Sequence, residues 1–360
     1  MVFALLVSTS ALFANAKLRI VFFTPKDVNP PAQVGKRMKQ VVDYAQNYYA
    51  KWLNHWGYPV KEVLPVDRDA NGVPKIYYVR GAETAASGKY DKVGYQWAVR
   101  ERAMAEHKIP RQGSTWWIFV YGTKIKASRG YGGFGDPKGN GWALLVWHDL
   151  PGEFNNDSPL AGGITDQINL KGYLHELGHT MNLAHFGPRD REVKAGLGMS
   201  LMGPNARTYR SLRRNRETKV HMTKATAAII WKQPQITGEF PKAVARPQIR
   251  VSGFRASYDS RAKRIRVLGR LSSNIPAHSV VAINMPDKGL GTYWKKAYAE
   301  RLNRGRFDLS IDELDPSSGT LKVFFCFDNG YMTGTGKGYG YKHSIELPYR
   351  FETGRYRIGK

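Results

Sequence analysis

Three histidines and a glutamate recur at metal-binding intervals in the segment Gly172-Tyr-Leu-His175-Glu176-Leu-Gly-His179-Thr-Met-Asn182-Leu-Ala-His185. On a helix, His175 and His179 lie one turn apart on the same face, so both rings can reach one metal ion. A helix continued from His175 to His185 would separate the two residues by roughly 15 Å along the axis, so the chain must turn back after His179. Asn182 suits that turn, because asparagine tolerates the left-handed conformation at a helix C-terminus.

The residue types indicate a hydrolytic metal site. Three neutral imidazoles leave the fourth position of a tetrahedral Zn²⁺ open for water, as in catalytic zinc sites. The metal would lower the pKa of that water and polarise a carbonyl group, while Glu176 takes up and returns a proton. The competing interpretation is a surface helix with incidental histidines. The spacing favours one catalytic Zn²⁺ held by His175, His179 and His185.

A second segment, Gly198-Met199-Ser200-Leu201-Met202-Gly203-Pro204, looks like a Met-turn. The two segments together resemble the metzincin clan of zinc endopeptidases, whose signature is HExxHxxGxxH followed by a Met-turn. The resemblance implies that the three histidines are ligands, that Glu176 is the general base and that Met202 lies beneath the zinc. Met199 is the competing candidate for the turn methionine. Packing in the hydrophobic core is the alternative role for both methionines.

The chain departs from the family pattern at two positions. Asn182 stands where the family has glycine, and Pro204 stands where several branches carry an auxiliary tyrosine, for which Tyr209 is a nearby candidate. A gluzincin arrangement with two histidines and a distant glutamate would use Glu192 or Glu217 instead. His185 and the Met-turn favour the metzincin arrangement. Residues 221–231 are predicted to form a helix, and His221 at its start is then a structural residue and not a ligand.

The resemblance covers about residues 17–240 and implies an α/β (α+β) catalytic domain with a mixed twisted sheet and a zinc-binding helix. Hydrophobic patterning agrees with this fold class. It predicts a helix over Gln33–Trp56 and strands over Leu18–Thr24, Lys75–Arg80, Thr115–Tyr121 and Trp142–Trp147.

A glycine-rich stretch precedes the last of these strands. In the family, an edge strand lines the cleft and pairs with extended substrate, and the matching residues here are Gly130, Tyr131, Gly132, Gly133 and Phe134. Small residues let a peptide backbone approach closely enough to add a strand. A glycine loop without a substrate role is the alternative, and the motif is a weak signal.

Residues 241–360 are predicted to form a separate all-β sandwich, immunoglobulin-like in its strand number. Seven alternating segments carry this prediction, namely Gln248–Tyr258, Arg264–Leu271, Ser279–Asn284, Tyr293–Leu302, Gly305–Ile311, Thr320–Phe327 and Lys342–Phe351. Bracing the enzyme and binding a substrate or surface both fit this domain. Cys326 lies in an apolar run and is predicted to be an inert core residue; as the only cysteine it excludes an intramolecular disulfide.

Residues 1–16 resemble a secretory signal that ends in the cleavage pattern Ala14-Asn15-Ala16, although a positive n-region is missing. A buried first strand is the alternative. No later stretch reaches the length of a transmembrane helix. We therefore expect a secreted or periplasmic protein. Inhibition by a cysteine that binds the zinc from a pro-segment is not expected, because Cys326 lies far from the predicted start of the mature chain. The sequence leaves Ca²⁺ binding undecided, since no Asp-rich loop marks a site.

The formal net charge of +26 is large and favours acidic partners, such as acidic protein or peptide substrates, or an anionic surface or polymer. No nucleic-acid-binding motif accompanies it, so specific nucleic-acid binding is not expected. A basic run, Arg207-Thr-Tyr-Arg-Ser-Leu-Arg-Arg-Asn-Arg216, follows the Met-turn. This run is either a solvent-exposed basic face or one wall of the substrate pocket, where it would favour acidic substrate residues beyond the scissile bond.

Two functions compete at this point. The first is a secreted zinc endopeptidase that cleaves extended peptide segments with Glu176 as general base. The second is a catalytically silent metzincin scaffold that binds a partner through its sandwich. An intact Glu176 beside three ligands favours the enzyme.

Overall fold

The computed structural model describes residues 16–125, 131–132, 135–204, 218–239 and 244–359. In the part before residue 240, the strands are β1 (Lys17–Thr24), β2 (Ile76–Arg80), β3 (Ser114–Val120), β4 (Tyr131–Gly132), β5 (Gly141–Val146), β6 (Met199–Ser200) and β7 (Val220–His221). The helices are α1 (Val34–His55), α2 (Gln96–His107), α3 (Gly163–Gln167), α4 (Leu170–His179), α5 (Asp190–Lys194), α6 (Lys224–Ile230) and α7 (Pro234–Thr237). Strands and helices therefore share this part of the chain, which is mixed α/β.

The main sheet has the strand order β2-β1-β3-β5-β4. Neighbours pair in parallel except at the β4 edge, which runs antiparallel to β5. Every residue of β3 is buried, because helices cover both faces of the sheet. The hydrophobic core on one face includes α1 and α4, and the core on the opposite face includes α2. The four predicted strands and the long helix are present with ends shifted by one residue.

Helix α2 was not expected from the sequence. It buries only Gln96, Val99 and Ala103. So narrow an apolar stripe gives almost no helical periodicity to detect.

The part after residue 244 is made of antiparallel strands. They are β8 (Ile249–Asp259), β9 (Arg264–Ser273), β10 (Ala277–Pro286), β11 (Ala297–Arg301), β12 (Arg306–Ile311), β13 (Gly319–Phe327), β14 (Met332–Thr333), β15 (Ile345–Glu352) and β16 (Arg355–Ile358). One sheet has the order β11-β10-β13-β15-β16, with β14 paired to β13, and a second has the order β12-β9-β8. Their inner faces share one hydrophobic core, so the two sheets form a sandwich. The immunoglobulin-like assignment stays a prediction.

Strands β10 and β13 are buried on both faces. Val280 and Phe325 point into the sandwich core, whereas Val281 and Phe324 belong to the core that contains α1 and α4. Cys326 lies on the second face and is buried, as predicted, and burial raises the pKa of its thiol. The hydrophobic core of the helical part therefore includes residues of the sandwich. The domain boundaries predicted after residues 16 and 240 remain predictions.

Three predicted elements begin three or four residues later in the structure than expected. The strand expected from Lys342 begins at Ile345, because Tyr341–His343 form a 3₁₀ turn. The helix expected from His221 begins at Lys224, because His221 pairs with Ser200 in a short parallel ladder and the Thr223 side chain accepts a hydrogen bond from the Thr226 N–H. The strand expected from Tyr293 begins at Ala297. The residues before Ala297 instead leave the sheet and approach the histidines.

Several predictions fall outside the described residues. These are the signal segment except Ala16, the glycine-rich residues Gly130, Gly133 and Phe134, and the segment with Tyr209, Glu217 and the basic run from Arg207 to Arg216. Among the described helices, none is both long and apolar enough to cross a membrane.

Candidate active site

Helix α4 carries Lys171, His175 and His179 at four-residue intervals, which places them along one face. The helix ends at His179, and the N–H groups of Met181 and Leu183 both bond back to the Gly178 carbonyl at 3.0 and 3.4 Å. Asn182 has φ +59°, which confirms the predicted left-handed turn. The chain then reverses and brings His185 alongside the helix.

The turn brings the three histidines together. One ring nitrogen from each of His175, His179 and His185 lies within 4.8 Å of the others. Within the part of the chain that the structure describes, this is the one group of three or more His, Cys, Asp or Glu side chains close enough to share a metal ion. Glu176 is half-buried on the same helix, next to His175. The cluster is the one that the sequence spacing predicts.

Hydrogen bonds orient two of the rings. Nδ1 of His175 lies 2.9 Å from the Leu201 carbonyl oxygen, and Nδ1 of His179 lies 2.8 Å from the Leu183 carbonyl oxygen. A carbonyl only accepts, so each Nδ1 carries the proton and each Nε2 presents a lone pair. Backbone acceptors of this kind commonly fix the tautomer of metal-binding histidines.

Burial keeps all three imidazoles neutral. It lowers the pKa of His175 well below the ordinary value and also lowers that of His179. The pKa of His185 falls to about 4, mainly through burial and also through nearby His179 and Lys295. Neutral imidazoles with converging lone pairs suit a divalent cation such as Zn²⁺, so the residues present can hold a metal ion.

Met202 lies beneath the helix that carries the histidines. It is buried in the turn after β6, and a Cβ added at Gly178 would lie 2.6 Å from its Sδ. A side chain at position 178 would therefore force the Met202 thioether to move. Met199 instead belongs to strand β6, where it pairs with Val220. Of the two candidates, Met202 is the one placed against α4.

Lys171 links the turn that contains Met202 to helix α4 by hydrogen bonds. Its buried ammonium donates to the carbonyl oxygens of Leu201 and Gly203, each at 3.1 Å. The Leu201 oxygen also accepts the hydrogen bond from His175, so the lysine and the histidine share one acceptor. Burial lowers the pKa of Lys171 to about 7, with Glu176 opposing the shift. The lysine was not singled out in the sequence, although it lies one helical turn before His175.

His221 and Glu192 lie in a separate buried network. The His221 Nε2 is 3.2 Å from Glu192, whose carboxylate also pairs with Arg189 at 2.9 Å. These partners hold the pKa of Glu192 down, to about 2, despite its burial. Glu192 is thus already paired with a cation, which does not favour its use as a metal ligand. Glu217 lies outside the described residues.

The sandwich contributes to the position of His185. The Lys295 N–H donates to the His185 carbonyl at 2.9 Å, and the Gly187 N–H donates to the Lys295 carbonyl at 2.9 Å. Phe186 and Lys295 thereby form a parallel bridge. A Cβ at Gly187 would lie 3.0 Å from the Trp294 carbonyl oxygen, so the two segments approach closely.

Sequence reasoning missed this contact, because it joins residues far apart in the chain. The available signals were the Tyr293-Trp294 pair and the glycines at 289 and 291, which indicate a loop.

The two described residues of the glycine-rich stretch, Tyr131 and Gly132, lie at the edge of the main sheet. Tyr131 and Gly132 pair with Leu144 and Ala143 of β5, and no further strand of the described chain pairs with β4. Strand β4 also lies beside α4. Within the described residues, the outer edge of β4 therefore pairs with no other strand and lies near the histidine helix, as an extended substrate would require.

The fold is similar to that of solved structures of OgpA from Akkermansia muciniphila. Two crystal forms of wild-type OgpA match with a TM-score of 0.69 and 16% sequence identity, over 96% of this chain and 96% of that chain. A catalytically inactive OgpA in complex with an O-glycopeptide (glycodrosocin) substrate matches with a TM-score of 0.67, at the same identity and coverage. No protein-family model and no curated protein matches the chain. At this identity the likeness shows a shared fold, which extends through the sandwich.

Proposed function

We propose that this protein is a zinc-dependent endopeptidase of the metzincin type that acts on O-glycosylated peptides. The observation that carries the proposal is the convergence of His175, His179 and His185, whose ligand nitrogens lie within 4.8 Å of one another, beside Glu176. The fold shared with OgpA, a protein whose solved complex holds an O-glycopeptide substrate, supports the choice of substrate class.

In this proposal His175 and His179 would hold Zn²⁺ through Nε2 and His185 through one of its ring nitrogens, and the bound metal would polarise the scissile carbonyl and lower the pKa of the attacking water. The Glu176 carboxylate accepts a proton from that water and returns it to the amine as the C–N bond breaks. The carbonyls of Leu201 and Leu183 keep the ligand rings in the required tautomer. The open edge of β4 pairs with the extended substrate backbone, as the glycine-rich stretch predicts.

The finer predictions belong to the same proposal. They are a secreted or periplasmic enzyme with a signal in residues 1–16, a catalytic domain over 17–240 and an immunoglobulin-like sandwich over 241–360. Met202 is the turn methionine. Its contact with Gly178 supports that role.

The test compares the zinc-loaded protein with its Glu176→Gln variant on two synthetic peptides. One peptide carries a single O-linked N-acetylgalactosamine on threonine, and its counterpart has the same sequence without the sugar. We expect cleavage of the glycosylated peptide, detected by mass spectrometry, and a loss of about 10²- to 10⁴-fold in the variant, the usual contribution of a general base. Zinc content should be equal in both proteins.

Two results would contradict the proposal. One is a Glu176→Gln variant that cleaves as fast as the parent. The other is a zinc-loaded parent that cleaves neither peptide, which would favour the silent scaffold.

A further inference from the structure

The connection between strands β10 and β11, residues 287–296, leaves the sandwich and reaches the candidate active site; we name it the site loop. It contains a 3₁₀ turn over Leu290–Thr292. Lys295 anchors its end through the hydrogen bonds to His185 and Gly187. The loop is thus fixed to the segment that carries the third candidate ligand.

Two aromatic rings of the site loop cover His185. The Tyr293 ring stacks on the imidazole, with 4.5 Å between centroids and 25° between planes. The Trp294 ring meets the same imidazole edge-on at 5.3 Å and meets Tyr293 at 4.6 Å. Both distances are typical of favourable aromatic pairs. The rings bring an aromatic surface of the sandwich next to the histidine cluster.

Tyr293 is also open to solvent, with 54% of its surface exposed, and Leu290 is 60% exposed. Within the described part of the chain, three other large hydrophobic residues are comparably exposed: Tyr78, Val93 and Trp97. An exposed apolar surface of this kind, next to candidate catalytic groups, is typical of a ligand-binding site. A group attached to a substrate held at the histidines would lie within reach of it.

We propose that the site loop forms one wall of the substrate cleft and that Tyr293 is the platform on which a sugar ring of the substrate stacks. The inference rests on the proposed function. The C–H face of a sugar ring packs on the electron-rich face of an aromatic ring, while the phenol hydroxyl lies at the rim. Because the sugar is uncharged, its recognition by Tyr293 needs no acidic side chain. The sandwich is then part of the active site.

The experiment measures glycopeptide affinity by calorimetry in the zinc-loaded Glu176→Gln background, in which turnover is expected to be slower by about 10²- to 10⁴-fold. The probes are the glycosylated threonine peptide and its sugar-free counterpart. The variants are Tyr293→Ala and Tyr293→Phe. Trp97→Ala is a matched control, because Trp97 is 52% exposed and belongs to α2, which packs on the sheet face opposite α4. Zinc content is measured for every protein.

We expect Tyr293→Ala to weaken glycopeptide binding by up to about tenfold, the upper size of one lost stacking contact. Tyr293→Phe and Trp97→Ala should stay within about threefold of the parent, and zinc content should not change. With Glu176 restored, the Tyr293→Ala loss should be mainly in KM.

Four results would overturn the inference. Unchanged affinity in Tyr293→Ala would exclude the platform. An equal loss for both peptides would mean that the ring holds peptide. A loss in Tyr293→Phe as large as in Tyr293→Ala would assign the effect to the hydroxyl, and a loss of zinc would make the ring a brace for His185. The proposed function fails separately, when the parent with Glu176 intact cleaves neither peptide.

Discussion

Lys171 is a buried lysine one helical turn before His175, and its hydrogen bonds link helix α4 to the turn that contains Met202. Its ammonium donates to the Leu201 and Gly203 carbonyls, and Leu201 also accepts from His175. A charge in this position is costly, because burial removes its hydration. That cost is the reason why the pKa of Lys171 falls to about 7.

This lowered pKa predicts a pH dependence of stability. The unfolded lysine keeps its proton up to about pH 10, whereas the folded one loses it near pH 7. Between these values the unfolded state binds more protons, so the contribution of Lys171 to stability rises with pH and is lost as pH falls toward 7. We expect the free energy of unfolding of the wild type, relative to Lys171→Met, to rise by about 2 kcal/mol from pH 7.5 to 9.5.

Urea unfolding of both metal-free proteins at the two pH values measures this difference. Other titrating groups, including the buried tyrosines, are common to both proteins and cancel. A difference that is independent of pH would mean that Lys171 keeps its charge in the folded protein.

Local sequence rules predicted most of the histidine cluster. The spacing of His175 and His179 defines one helical face, and Asn182 marks the reversal that brings in His185. These relations are short-range, so the sequence contains them directly. The stacking of Tyr293 on His185 is a contact between distant segments, and no periodicity records it.

The turn after α4 is the element on which the geometry of the cluster depends. Asn182 has φ +59°, a conformation that glycine adopts without strain and that β-branched residues avoid. Asn182 also lies against the C-terminal part, since a Cβ at Gly340 would lie 2.7 Å from its Nδ2.

We therefore expect Asn182→Val to be less stable than Asn182→Gly by about 2 kcal/mol, because valine is strained at positive φ. Both variants lack the amide, so the loss of its contacts is common to both and does not enter their difference. Urea unfolding measures it, and zinc content should fall in the valine variant if the turn places His185. Equal stabilities would show that the turn tolerates other conformations.

The strands of the sandwich were predictable because they alternate, as in β9, where Ile265, Val267 and Leu271 are buried and Arg266 and Arg270 are exposed. The predicted strand at Tyr293 was wrong in its start, since apolar residues of the site loop continue the pattern of β11. Ring contacts with His185, and not pairing in the sheet, explain the positions of Tyr293 and Trp294. Pattern alone does not separate the two cases.

The whole molecule carries a net charge of +26, and part of it lies on one surface of the sandwich. Strands β8, β9 and β12 turn their apolar side to the core and expose arginines on the other. This arginine face contains Arg250, Arg255, Arg266, Arg270 and Arg306. Arg266 is paired with Asp308. A concentrated positive surface favours an anionic polymer over a neutral one.

We expect the protein to bind a sulfated polysaccharide column and to elute at lower salt when four of these arginines, Arg250, Arg255, Arg270 and Arg306, are changed to serine. The matched control removes four exposed lysines from the other part of the chain: Lys26, Lys89, Lys92 and Lys124. Its elution should shift less, although its net charge is the same. Equal shifts would attribute retention to net charge alone.

Shared core contacts and the site loop join the sandwich to the histidine cluster, so the two parts are expected to act together. The most direct measurement is a zinc titration of the metal-free protein, with glycopeptide cleavage followed at each addition. We expect activity to return in proportion to added Zn²⁺ and to stop rising at one ion per chain, and His185→Ala to lose this behaviour. Full cleavage without metal, or no zinc bound at the histidines, would contradict the assignment of a zinc peptidase.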